Sequence, residues 1–199
     1  MINLFEIENY IKNYYDNNCQ KEIVYHNINH VVDVVNAVRQ ISLYSHLSQS
    51  DSNLVIAAAW FHDIGHLKIW EDHEKLSANF ALEYFRSRKV PDSEIDVIIK
   101  CIKVTALPHT PMNFLEQIIC DADISHVGSE LFFEKSNLLR MEIEIRKDKR
   151  YTDDEWLKKN IDFVNDSKFF TDYANKFYEP IKKTNLEILY ESYKTFSKK

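Results

Sequence analysis

Glycine stands at only two of 199 positions, Gly65 and Gly128, and proline at four. A chain so poor in turn-formers has few places to reverse tightly. That argues against a sandwich of many short strands and for long helices. Hydrophobic residues make up 45% of the chain, enough to fill a core, so the expected fold class is all-α. The length suits one domain spanning 1–199.

Apolar residues recur at helical spacing along the chain. A first helix is predicted over 3–16, breaking at Asp16-Asn17-Asn18. The segment Tyr25 to His30 opens a second, whose apolar face is Val31, Val34, Val35, Val38 and Ile41. A third is expected to be capped near Asp51, to carry Leu54 to Phe61 into His62-Asp63 and to stop at Gly65. A fourth covers about 73–89, and Pro91-Asp92-Ser93 initiates a fifth. Two prolines bracket a loop at Leu107–Pro111, after which Phe114, Ile118 and Ile119 lead to Asp121-Ala122-Asp123. Beyond Gly128 a charged helix is expected to run to about Lys149. Thr152 to Glu155 has capping-box spacing, and aromatic C-terminal helices bend at Pro180.

Charge narrows the function. A net charge of −6 argues against a nucleic-acid partner, while leaving room for a small anion held by a metal ion. Cys19, Cys101 and Cys120 form no CxxC and read as buried thiols of a reducing compartment. The N-terminus lacks the pattern of a secretory leader, and no apolar run approaches a membrane span. A soluble cytoplasmic protein without a membrane partner is expected, and oligomerisation stays open.

Polar side chains interrupt the apolar segments at three places: His30, His62-Asp63 and Asp123. An unpartnered imidazole or carboxylate is costly to bury, and ligation of a divalent ion removes the cost. Helical bundles build metal sites from facing helices in this way. Two histidines and two aspartates would leave open positions for water, as a catalytic site needs. Asp63 could bridge to a second ion.

The stretches Tyr25-His26-Asn27-Ile28-Asn29-His30-Val31-Val32-Asp33-Val34, His62-Asp63-Ile64-Gly65-His66 and Ala122-Asp123-Ile124-Ser125 together resemble the HD superfamily of metal-dependent phosphohydrolases. The first and last are also similar to signatures of class I cyclic nucleotide phosphodiesterases, which share the HD core. The resemblance covers about residues 25–128, leaving 129–199 as a helical extension, and the whole chain is similar to bacterial proteins described as predicted HD phosphohydrolases. It implies an HD helical bundle with His30, His62, Asp63 and Asp123 as metal ligands. It implies that His26 protonates the leaving oxygen and that His66 lies near the phosphate and the attacking water, so His26, Asp63 and His66 form the expected catalytic set. A second ion or the phosphate could draw on His73 with Glu74, His109 and Asp121. Each also has a plain reading: His73 as an exposed first-turn residue, His109 as a loop residue fixed by its prolines, Asp121 as a capping carboxylate. Alignment on Ala-Asp favours Asp123 over Asp121 as the ligand.

The expected activity is hydrolysis of a phosphoester of a nucleotide or similar small metabolite by metal-activated water. The cofactor would be one or two divalent ions, with Mn, Fe, Co, Ni, Zn and Mg all compatible. Alternatives are a cyclic nucleotide phosphodiesterase-like enzyme and a silent metal- or nucleotide-binding sensor. Leu67-Lys68 stands where the phosphodiesterase pattern has Pro-Gly, which ranks a phosphatase first. Lys68, Arg140 and Arg146 could meet phosphate, although the run Arg146 to Arg150 reads most simply as an exposed helix end.

Overall fold

The computed structural model describes residues 2–196; Met1 and the lysine-rich end at 197–199 lie outside them. The described chain holds α1 (Leu4–Asn18), α2 (Ile28–Tyr44), α3 (Gln49–Phe61), α4 (His73–Ser87) and α5 (Asp92–Lys103). It continues with α6 (Phe114–Asp123), α7 (Phe132–Arg146), α8 (Asp153–Asp166), α9 (Asp172–Phe177) and α10 (Glu179–Phe196). Short 3₁₀ turns at Ile64–Leu67 and Ile124–Gly128 prolong α3 and α6, and no strand occurs among the described residues. The fold is all-α, as the scarcity of glycine predicts.

Helix α3 is the hub. Leu54 to Phe61 are all buried, and a helix apolar on every side is stable only when others surround it. α1, α2, α4, α5 and α6 do so. Phe61 sits among Tyr10, Tyr84 and Phe85, with ring centroids 6.1, 5.1 and 5.4 Å away. Burying such a ring contributes about 1.5–3 kcal/mol. The hub ends where it must meet polar atoms, so His62 and Asp63 emerge from the most apolar part of the molecule.

A second apolar cluster gathers Ile124, Val127, Phe132, Ile161, Val164, Phe169, Ala174 and Leu189. α10 packs on α8, α9 and the turn after α6. The Asn185 side chain donates to the carbonyls of Val127 and Ser129, 3.0 and 2.9 Å away, which ties α10 to the turn that follows Asp123. Trp156 Nε1 donates to Ser136 Oγ, which donates to Asn160 Oδ1, joining α7 to α8 through buried hydrogen bonds.

Several expected boundaries move for local reasons. α1 runs through the expected break, because Asn17 and Asn18 donate to the carbonyls of Asn13 and Tyr14 one turn back. The cap of α3 is Ser48, not Asp51; the Ser48 hydroxyl accepts from Asp51 N. α4 stops at Ser87, and Lys89 beyond it has positive φ. α7 begins at Phe132 and ends at Arg146, with Asp148 at positive φ after it. The capping box at Thr152 is formed, and Pro180 lies in the first turn of α10, where its missing N–H costs nothing. Cys101 and Cys120 are buried as expected; Cys19, at the exposed end of α1, is not.

Gly65 is not the helix stop that its sequence position suggests. It lies inside the 3₁₀ turn with no positive φ, and α3 has already ended at Phe61. Its role is close approach. A Cβ there would overlap the carbonyl oxygen of His73 and sit 3.0 Å from Ser77 Oγ, the atom that accepts Gly65 N–H. Gly65→Ala must push α4 and His73 away from the site, and a loss of about 3 kcal/mol is expected in urea denaturation.

Candidate metal centre

α2 brings His30, the end of α3 brings His62 and Asp63, and the last residue of α6 is Asp123. The three stretches meet. His30 Nε2 stands 3.2 Å from Asp63 Oδ2 and 3.6 Å from Asp123 Oδ1. His62 Nε2 stands 3.3 and 3.4 Å from the same two oxygens, and 3.4 Å from His30 Nε2. Two atoms bound about 2.1 Å from one ion stand about 3.0–3.4 Å apart. His30, His62 and Asp63 form a group that could hold one cation, and Asp123 Oδ1 lies beside both imidazoles.

Tautomers and charge agree with that fit. His62 Nδ1 donates to the Ala59 carbonyl at 2.8 Å, which leaves Nε2 as the lone-pair nitrogen facing the centre. Burial alone would lower the His30 and His62 pKa values, but Asp63 and Asp123 outweigh it and raise both. Burial raises the two aspartates, and the facing imidazoles hold both well below the usual carboxylate range. The centre is therefore a buried place that demands positive charge.

Asp63 has a second face. Its Oδ1 lies 3.4 Å from His73 Nε2, and His73 Nδ1 is anchored on the Trp70 carbonyl at 2.9 Å. His66 joins them, and Asp63, His66 and His73 form a further group that could hold a cation. The expectation of an exposed His73 gives way here, because the turn around Gly65 folds α4 back onto Asp63. His66 stacks between His26 and His73, with centroids 3.8 and 3.5 Å away. Burial, aided by His26, pushes His66 far below the ordinary imidazole value, so the ring is neutral. Its Nδ1 is buried without a hydrogen-bond partner among the described residues. A bound ion, water or substrate would satisfy it. Glu74 Oε1 lies 3.4 Å from His73 Nε2 at the rim.

The remaining candidates separate. His109 Nε2 is 3.8 Å from Asp123 Oδ2, but it donates to the Thr105 carbonyl at 3.1 Å. Asp121 points the other way. It accepts from Phe170 N and Thr171 N at 2.9 and 2.7 Å, so it holds the stretch that leads into α9 rather than joining the cluster, and the cap of α9 is Thr171. Successive helical residues project about 100° apart, and two steps turn Asp121 away from Asp123. Burial pushes the Asp121 carboxyl up to about 6.

Three residues were not legible as site residues. Glu142 of α7 is fully buried, and its Oε1 accepts from His26 Nδ1 at 2.7 Å. Its Oε2 accepts from the backbone N–H of Tyr25 and His26 at 2.7 and 3.0 Å. Trp70 sets its ring edge-on to His26 and His66, with centroids 5.7 and 5.2 Å away. His126, lowered to about 4 by burial and by His30, lies 3.3 Å from the Tyr25 hydroxyl. Their local sequence carries no periodic or motif signal. Arg146 is not solvated, as the charged run suggested: it donates to the His66 carbonyl at 2.9 Å and lies 3.4 Å from Glu142. Arg140 instead ties Glu144 to Asp153, and Lys68 reaches Asn18 at the surface.

An open cavity of about 460 Å³ gives access to the cluster; His30, Asp63 and Asp123 line it with His26, His66 and His73. Trp70 and Phe163 supply aromatic wall. Among the described residues no helix is long and apolar enough to cross a membrane.

The chain is similar in fold to the crystal structure of a Lactobacillus plantarum protein solved as a Northeast Structural Genomics target. The two are 16% identical with a TM-score of 0.67, and the match covers 99% of this chain and 97% of that one. No curated protein matches the chain. The family model of the HD domain matches residues 27–128, just over half of the sequence. That segment holds His30, His62, Asp63 and Asp123, while His26 and Glu142 fall outside it. The H…HD…D order thus reflects descent as well as geometry: the chain belongs to the HD-domain family.

Proposed function

We propose that this protein is a metal-dependent phosphohydrolase acting on the phosphoester of a nucleotide or a similar small phosphorylated metabolite. The observation that carries the reading is the meeting of two imidazole nitrogens and two carboxylates within 3.2–3.6 Å at an open cavity. Membership of a family whose members are generally metal-dependent hydrolases supports it. His30, His62, Asp63 and Asp123 would hold one ion, and Asp63 Oδ1 with His73 and His66 a second. When bound, a divalent ion lowers the pKa of water and holds a phosphoryl oxygen.

The protein side chains do the rest. Asp63 orders both faces of the site, because each of its oxygens meets a different set of imidazoles. His26 holds a proton on Nδ1 against Glu142, which leaves Nε2 free among the described residues to serve the cavity. A protonated Nε2 would deliver its proton to the departing oxygen. Trp70, backed by Arg146 with its guanidinium 5.1 Å from the ring centroid, keeps water from one side of His26 and His66.

The test is a turnover panel of nucleoside phosphates and sugar phosphates, with Mn, Co, Ni, Zn or Mg added to purified protein. Hydrolysis that depends on the metal is the expected result. Tight nucleotide binding with no turnover under any metal would replace this reading with that of a sensor module.

A further inference from the structure

A second cavity of about 480 Å³ adjoins the first, and the two share Leu107, Ile124 and Phe163 as a common wall. We propose that this cavity receives the leaving group of the substrate, and that its occupant is the nucleobase of a nucleoside phosphate whose phosphate lies at the metal centre. The proposal rests on the phosphohydrolase reading and adds where, and by which residues, the rest of the substrate is held.

The walls fit a flat ring with polar edges. Phe163, Phe170 and His109 offer aromatic faces, and stacking on such faces tolerates any base. Asp166 and Lys168 line the same space, and neither has a hydrogen-bond or ion-pair partner among the described residues. One offers an acceptor and the other a donor, which suits the amino, imino and carbonyl edge groups of a base. A purely apolar ligand would leave both unused.

The cavity is also a built feature rather than a packing fault. Asp166, Ser167, Lys168 and Phe170 line it from one stretch of chain, and buried charges grip that stretch at Ser167 and at Phe170–Thr171. Asp121 accepts from Phe170 N and Thr171 N, and the buried Lys182 ammonium donates to the Ser167 carbonyl at 2.8 Å. Buried charges are costly and usually occur where they fix a required conformation. His109, which also lines the cavity, is pinned by the Thr105 carbonyl. This explains why His109 sits beside Asp123 while its Nε2 proton points elsewhere. The wall residues come mostly from beyond residue 128, so the C-terminal extension would set specificity and the HD core the chemistry.

Titration calorimetry with free nucleosides, which lack the phosphate, reads the cavity apart from the chemistry. The wild type is expected to bind at least one nucleoside and not ribose. Phe170→Ala is expected to weaken that binding about tenfold, the usual order for losing one stacking face. Lys168→Glu, at an exposed position, is the second variant. In both, the ratio of kcat/KM for the nucleoside monophosphate to that for glycerol phosphate is expected to fall about tenfold. Hydrolysis without nucleoside binding, or variants that bind and discriminate as the wild type does, overturns the cavity assignment and leaves the phosphohydrolase reading intact. Nucleoside binding through Phe170 with no hydrolysis of any phosphoester overturns that reading, and the leaving-group role with it.

Discussion

Asp63→Asn is expected to empty the metal centre and to lower kcat/KM by about 10³-fold, or about 4 kcal/mol. The two oxygens of Asp63 meet both groups of imidazoles: Oδ2 faces His30 and His62, and Oδ1 faces His73. The substitution keeps the shape and removes the charge, so the backbone at the end of α3 has no steric reason to move. His30, His62 and His73 lose the carboxylate that outweighs their burial and raises their pKa values. A cation held by the remaining groups would face one carboxylate instead of two. Elemental analysis of purified wild type and variant, alongside turnover with added metal, checks both halves. An unchanged metal content together with unchanged turnover would remove the basis of the catalytic reading.

Glu142→Gln is expected to lower kcat about 10²-fold at pH 7 while metal content stays as in the wild type. Glu142 is a positioning residue. It does not itself line the cavity, and it acts through His26, whose Nδ1 donates to it. A purely structural role would move KM and metal content along with kcat, so a loss confined to kcat separates the two roles.

The same residue makes a stability prediction with a definite sign. Burial raises the Glu142 pKa, but the hydrogen bond and charge of His26 and the backbone N–H groups of His26 and Tyr25 outweigh it and leave it lowered. A carboxylate lowered in the folded state stabilises the fold above its unfolded pKa of about 4.3. That contribution is lost as pH falls through the lower folded value. The stability gap between wild type and Glu142→Gln should therefore be flat from about pH 6 to 8 and should close below about pH 4. Urea denaturation across that range measures it.

Helix α7 shows what a sequence can and cannot disclose. In Met141-Glu142-Ile143-Glu144-Ile145-Arg146 the two glutamates have the same neighbours in kind. Glu142 is fully buried against His26, whereas Glu144 pairs with Arg140 and Arg150 toward the surface. Nothing within one helical turn distinguishes them. The partner of Glu142 lies 116 residues away, so only the way the chain returns decides between them. Trp70 and Arg146 became site residues for the same reason, through contacts 80 residues apart in the case of Arg146. His73 was ambiguous until the close approach at Gly65 folded α4 back on Asp63.

What the sequence determined is what short-range spacing encodes. The scarcity of glycine and the helical recurrence of apolar residues set an all-α fold. The apolar run Leu54 to Phe61 leading into His62-Asp63 required a buried polar centre with a partner, and His30 and Asp123 stood at the matching places on their own helices. What only the tertiary structure decided is which distant side chains complete that centre: the buried carboxylate behind His26, the aromatic wall at Trp70, and the second cavity closed by Phe163 and Phe170. Local periodicity follows from the 3.6-residue turn of the helix and can be counted along the chain. Contacts between separate helices depend on how several faces pack at once, and one strand of letters does not record that.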